Sequence, residues 1–315
     1  MQKLGDGKSQ LDDWVGWTLI VWALTLVAFI YVRWDLIQYF ALIDTDDNLR
    51  MVQVRDWLGG QGWYDLRQYR LDPPLGADIH WSRVVDLPLA AVILMLKPFF
   101  GQAAAETAAI AMAPAFPLAF VFLALGKIAR RTVAPLAWIL AIALTLSASA
   151  SIRMFMPTRI DHHGWQLAAV AVALMGLTDQ RAVRGGMTIG LATAFSLAIG
   201  LESLPFLALM GGMTALRWVV DRGDATRLSA YAVSLGCGTA LSFLLFASNS
   251  NWRMQCDALS PVWLVATSTA GFLLFGLSQI RVTHVGARLG LGVIAGGLLA
   301  GIMAYWFPQC LSRPE

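Results

Sequence analysis

The chain has 315 residues, 57% of them hydrophobic and 14% charged, whereas an ordinary soluble domain carries about a quarter charged residues; most of it must therefore sit in lipid. A formal net charge of +3, without any run of Lys and Arg, excludes the electrostatic footprint of a nucleic-acid-binding surface. Three cysteines are too few for a disulfide scaffold, and no CxxC or Cys/His spacing marks a structural zinc site.

The first apolar run begins near Trp14 and ends at Arg33 and Asp35. No small-residue cleavage site follows it, so it reads as a retained first span. A polar loop from about 41 to 86 comes next, carrying Asp44, Asp46, Asp47, Asp56, Asp65, Asp72, Asp78 and Asp86. Trp57, Trp63, Tyr64, Tyr69 and Trp81 are suited to anchor it at headgroup level. The stretch from Leu87 to Phe100 is apolar but short, and Lys97 and Pro98 interrupt it, so it is expected to lie in the interface rather than to span. Runs long enough to cross a bilayer follow at 103–126, 132–150, 164–179, 185–201, 203–220, 228–248, 261–280 and 288–307. The expected fold is all-α: a polytopic transmembrane helical bundle of about nine spans plus an interfacial helix, with a long structured first extracytoplasmic loop. No repeat or low-complexity tract divides it. Residues 1–315 read as one transmembrane domain, with 41–100 as the loop and interfacial helix and no soluble C-terminal domain.

Charge orients this arrangement, because cytoplasmic loops collect Lys and Arg. Treating 87–100 as interfacial puts Lys3, Lys8, Lys127, Arg130, Arg131, Arg181, Arg184, Arg217, Arg222, Arg227, Arg281 and Arg288 on one side, the cytoplasmic one. The long loop and the short loops near 151–163, Glu202 and 249–260 then face outward, toward the periplasm if the membrane is a bacterial inner membrane. Cys256 and Cys310 share that oxidising face and could pair, although two free thiols is the simpler reading.

Four elements on this face carry chemistry. In Asp44-Thr45-Asp46-Asp47, three crowded carboxylates are tolerable beside a divalent cation, with hard oxygen ligands selecting magnesium or manganese; the alternative is an acidic turn capping a helix. In Arg159-Ile160-Asp161-His162-His163, a carboxylate and two imidazoles can bind a metal or serve as general bases near neutral pH; otherwise they form a polar cap on the next span. Glu202 lies between two apolar runs, where a carboxylate should face a cavity, a cation or a headgroup, unless it only marks a short turn. Arg253, Arg153 and Arg159 can form bidentate bonds to phosphate or act as lipid-headgroup anchors.

These residues resemble those of the oligosaccharyltransferase catalytic subunits of the C-type glycosyltransferase superfamily. An aspartate stands just outside the first span, then Arg55-Asp56-Trp57-Leu58, then Leu71-Asp72-Pro73-Pro74-Leu75-Gly76-Ala77-Asp78-Ile79-His80-Trp81-Ser82-Arg83. Asp161-His162-His163 looks like the family's second acidic motif, and Gly200-Leu201-Glu202-Ser203 is similar to a later external acidic position. The resemblance covers about residues 14 to 205 and implies a divalent metal beside the pyrophosphate of a polyprenyl-linked sugar. It implies Asp44 or Asp46 as the first-loop catalytic residue, the register between them being open, with Asp161, His163 and Glu202 completing the metal site. Arg253 and Arg159 would contact the donor phosphate, and Asp47, His162 and His80 are further site residues. The family's large soluble C-terminal domain, with its Trp-Trp-Asp motif for the acceptor sequon, has no counterpart in this chain, so a protein acceptor does not follow.

The expected function is metal-assisted, inverting transfer of a sugar or oligosaccharide from a polyprenyl-phosphate-linked donor, among membrane lipids, to an acceptor whose identity is open. Two rival readings are a multi-span transporter or flippase and a non-catalytic remnant subunit. The last is favoured if the acidic elements lie far apart.

Overall fold

The protein is described here by a computed structural model covering residues 13–312. It is built from α1 (Trp14–Val32), α2 (Trp34–Gln38) and α3 (Thr45–Leu58), a two-residue hairpin of β1 (Arg67–Gln68) and β2 (Ala77–Asp78), then α4 (Asp86–Met112), α5 (Phe116–Thr132), α6 (Ala137–Ser147) and α7 (Ser149–Ile152). The remainder is α8 (His163–Leu177), α9 (Ala182–Ile199), α10 (Leu204–Val220), α11 (Ala225–Phe246), α12 (Pro261–Gln279) and α13 (Val285–Trp306). Local chemistry sets several helix starts: Asp13 accepts from Gly16 N–H, and Ser260 accepts from Val262 N–H ahead of Pro261. The hairpin pairs antiparallel, Arg67 with Asp78 and Gln68 with Ala77.

Six helical stretches among the described residues are long and apolar enough to cross a membrane, and a seventh is added if α6 and α7, bent by 74°, count as one. The chain is a multi-pass membrane protein. Each run expected to span is helical, but the count of nine spans is not reached by length. α8 and α10 have 15 and 17 residues, against the twenty or so that about 30 Å of hydrocarbon requires. The 47 residues from Asp86 to Thr132 form one apolar helical stretch, which would be about 70 Å long if straight. Gly101 breaks it with φ +79°, a conformation open to glycine, and so separates the 86–100 segment from the helix that follows.

Small residues let α8, α9 and α11 approach closely, as expected where lipid removes the hydrophobic drive between helices. A Cβ at Gly186 would stand 2.2 Å from the Arg227 carbonyl oxygen, and one at Gly190 2.0 Å from Ser234 Oγ. Arg227, expected in a cytoplasmic loop, is instead buried, donating to Gly176 O at 3.2 Å and Asp179 O at 2.6 Å. Asp179 pairs with Arg131 at 2.7 Å and with Arg184 at 2.6 Å, which ties the ends of α5, α8, α9 and α11 together. Arg288 is likewise buried and donates to Val219 O and Val220 O. Lys3 and Lys8 lie outside the described residues.

The long loop is held by ion pairs. Asp86 is fully buried between Arg50, at 2.7 Å, and Arg83, at 3.5 Å. Arg83 also donates to the carbonyls of Trp63, Gly62 and Asp65. Arg55, on α3, pairs with Glu106 on α4 at 2.6 Å. Trp81 is not a headgroup anchor: it is buried, with the Arg50 guanidinium 4.8 Å from its ring centre. The pairing left open in the sequence is present: Cys256 and Cys310 form a disulfide, which fastens the segment after α11 to the end of the described chain. Cys237 is free and exposed.

Candidate functional site

The first-loop acids are arranged by a helix cap. Asp44 Oδ1 accepts the N–H groups of Asp46 and Asp47, and Asp47 Oδ2 accepts the Asp44 N–H, a reciprocal capping box at the start of α3. One turn of helix thus turns Asp47 inward, completely buried, and leaves Asp46 half-buried at the edge. Asp47 Oδ1 accepts the Asp161 N–H at 3.0 Å, joining residues 114 positions apart in the chain. The Arg159 guanidinium sits among the acids: it contacts Asp44 Oδ2, lies 3.3 Å from Asp47 Oδ2 and 2.6 Å from Asp161 Oδ2.

The other side of the site is built from the start of α8. Asp161 Oδ1 accepts the His163 N–H at 3.0 Å, and Asp161 Oδ2 lies 3.0 Å from His163 Nδ1. The His163 ring stacks on His162, with centroids 4.6 Å apart, and the Trp81 ring lies 5.5 Å from His162 on the other side. His162 Nε2 meets Glu202 Oε1 at 2.9 Å, while Glu202 Oε2 accepts from Gln166 Nε2 at 3.0 Å. Gln166 in turn accepts from Ser196 on α9 and donates to Gly200 O. Three elements distant in sequence therefore form one continuous polar network.

Electrostatics differ sharply along it. Burial, then the neighbouring Asp161 charge, pushes the Asp47 carboxyl up to about 7, against the pull of two backbone N–H groups and Arg50. Burial also works to raise Asp161, but its hydrogen bonds to His163 and the His163 and Arg159 charges outweigh it and hold the carboxyl below its ordinary value. Burial of Glu202 is likewise outweighed, chiefly by the His162 hydrogen bond, and its carboxyl is held at about 2. Two carboxylates are thus ionised, and the third stands near its titration point at neutral pH.

Asp161 Oδ2 meets Arg159 Nη2 at 2.6 Å and His163 Nδ1 at 3.0 Å, whereas His162 Nδ1 is buried without a hydrogen-bond partner. Buried orphan atoms of this kind mark the place of an ion, a water or a reacting group. Among the described residues no three His, Cys, Asp or Glu side chains surround a common point as metal ligands; the Arg159 guanidinium stands where their charges converge.

The structure brings Asp44, Asp47, Arg159, Asp161, His162, His163 and Glu202 together. The Asp46 side chain has no hydrogen-bond or ionic partner among the described residues, and Asp47 holds the contact to Asp161 instead. Arg159 binds the acids rather than standing free for phosphate. Arg253 lies apart from the network, beside Arg67 and Asp78. His80 packs edge-on against Trp81 at 6.0 Å, one ring removed from His162. The sequence reading missed Gln166, Ser196 and Arg50. Gln166 carries a signal, since it lies four residues after His162 and so on the same helical face.

No family model matches the sequence, and no curated protein matches it. Two solved structures from Archaeoglobus fulgidus are similar in fold. One is the archaeal oligosaccharyltransferase AglB in complex with an inhibitory peptide and a dolichol-phosphate, with a TM-score of 0.68 and 16% identity over 97% of this chain and 39% of that one. The other is the oligosaccharyltransferase in the apo form, with a TM-score of 0.62 and 17% identity over 92% of this chain and 37% of that one. This chain therefore has the fold of a little under two fifths of those oligosaccharyltransferase chains.

Proposed function

We propose that the protein is a membrane glycosyltransferase that moves a sugar or oligosaccharide from a polyprenyl-phosphate-linked donor to an acceptor on the extracytoplasmic side, with a magnesium or manganese ion in the site. The observation that carries this reading is the meeting of Asp47, Asp161 and Glu202 in one network although the chain separates them widely. A remnant or scaffold has no need of such convergence. Similarity in fold to a structure holding a dolichol-phosphate supports the donor class, and the Cys256–Cys310 disulfide supports an oxidising face for the loop that adjoins the site.

Asp47, Asp161 and His163 fit a hard cation in donor chemistry, offering carboxylate oxygens and one imidazole nitrogen. Asp161 Oδ2 and His163 Nδ1, now 3.0 Å from one another, are the atoms that would hold such an ion in place of their present contacts. When bound, it would supply Lewis-acid stabilisation of the leaving phosphate.

The chain's own residues do the remaining work. Arg159, released from the carboxylates, turns its planar array of N–H donors toward the phosphate oxygens. Asp46, whose carboxylate is unengaged among the described residues, orients the acceptor and takes its proton. The acceptor's lone pair forms the new bond to the anomeric carbon as the carbon–oxygen bond to phosphate breaks. The electron pair leaves with the phosphate, and the anomeric configuration inverts. Glu202, acting through His162, holds the two stacked imidazoles in register. The reading is tested by incubating the purified protein with labelled polyprenyl-linked sugars, with and without magnesium or manganese. Metal-dependent consumption of donor is expected, and no consumption under any condition would refute it.

A further inference from the structure

A second polar constellation lies outside the network. A cavity of about 210 Å3 is lined by Arg67, Asp78, Asn249, Ser250, Arg253 and Gln255, smaller than the roughly 300–1,000 Å3 of pockets for drug-sized ligands and suited to one sugar ring. Its walls come from the β1–β2 hairpin and from the segment that follows α11.

Part of this lining is already engaged. Arg67 Nε and Nη2 each donate to an oxygen of Asp78 at 2.9 Å, and Nη1 donates to Leu75 O at 3.0 Å. The side chains of Asn249, Arg253 and Gln255 have no hydrogen bond among the described residues. The Arg67–Asp78 pair is neutral, so Arg253 gives the cavity one net positive charge. The two free amides add acceptors as well as donors. A bare phosphate is acceptor-rich and would leave those amide oxygens unmatched. A ring bearing hydroxyls and one anionic group uses all of them.

The segment is also held in place before any ligand arrives. The disulfide at Cys256 fixes one end, Asn249 N–H donates to Tyr64 O at 2.8 Å, and Asn251 Nδ2 donates to His80 O at 3.4 Å. Such pre-organisation lowers the entropic cost of binding. The last of these bonds reaches His80, whose ring touches Trp81, which faces His162. A relay of contacts through Asn251, His80 and Trp81 thus links the segment that lines the cavity to His162.

We propose that this cavity is a saccharide subsite for an acidic sugar unit, with its carboxylate on Arg253 and its hydroxyls on Asn249 and Gln255. The inference deepens the glycosyltransferase reading and rests on it only for the sugar's being part of a transferred or accepting glycan. It is tested on the full chain in nanodiscs by ligand-observed NMR with methyl glucuronide, methyl glucoside and inorganic phosphate. Saturable glucuronide binding is expected, weakened about tenfold or more by Arg253→Ala or by Asn249→Ala with Gln255→Ala, as loss of a charge-assisted hydrogen bond implies. Arg70→Ala, at a nearby surface arginine paired with Asp56, should leave binding unchanged. No glucuronide binding, binding undiminished in Arg253→Ala, or displacement by phosphate at equal concentration would overturn the proposal. Glucuronide binding without donor consumption would sink the enzyme reading alone, and consumption without glucuronide binding would sink the subsite alone.

Discussion

Asp47 carries the most consequential side chain in the network, because it is wholly buried yet stands near its titration point. Its ordinary value is 3.8 and burial raises it to about 7, so the folded chain holds a proton that the unfolded chain has already lost in between. That contribution to stability is complete below pH 3.8 and disappears as pH rises through about 7. Asp47→Asn is neutral at every pH and removes the slope. Melting of the detergent-solubilised protein should therefore fall from acidic to mildly alkaline pH in the wild type and change less in the variant; parallel curves would contradict the assignment. Much of this residue-level picture was legible. Asp161-His162-His163 and Glu202 stand out in the sequence and do meet. The choice between Asp44 and Asp46 was left open, and the inward turn of Asp47 was obscured, because both depend on helical phase. Asp44 with Asp47 three positions on is itself a capping-box spacing, and that spacing is what turns Asp47 inward. Arg159 as the charge that holds the acids together was not legible, since only the fold shows which carboxylates it reaches.

At the scale of elements, close packing among α8, α9 and α11 positions Gln166 and Ser196 behind Glu202. Gly186→Ala would press a methyl group against the Arg227 carbonyl at 2.2 Å, a backbone atom that cannot swing away. A loss of about 1–3 kcal/mol is expected, read from unfolding in a mild denaturing detergent. At Gly101 the space is open and the strain lies in the backbone, at φ +79°. Gly101→Ala should cost about 1–3 kcal/mol, with little effect on the packing of α4 against α3. The helices themselves were legible from apolar runs bounded by charge and proline. Their ability to span was not, because α8 and α10 end one turn or so short of a bilayer's thickness. The buried arginines Arg227 and Arg288 were read as loop charge for a related reason: sequence places them at helix ends but does not show the carbonyls that they cap.

At the scale of the whole molecule, the cysteines test the connectivity of the fold. Cys256 and Cys310 are bonded and Cys237 is exposed on α11. Alkylation of the protein unfolded in SDS without reductant should modify Cys237 alone, and non-reducing peptide mapping should recover the 256–310 cross-link. That pairing was open in the sequence because connectivity depends on where the two Cα atoms lie, here 5.5 Å apart. The arrangement also bears on the transporter alternative: the acids gather at the start of the polar helix α3, before α8 and between α9 and α10, and not at the midpoints of apolar helices. In the proposed function these ends make one site that consumes a polyprenyl-linked sugar. It is tested most directly by metal-dependent donor consumption in Asp47→Asn, Asp161→Asn and the double variant. If the two carboxylates act as a unit, each single change should lower the rate about a hundredfold or more, and the double variant should be no slower than the slower single. Wild-type rates in either single variant, or losses that multiply in the double, would contradict it.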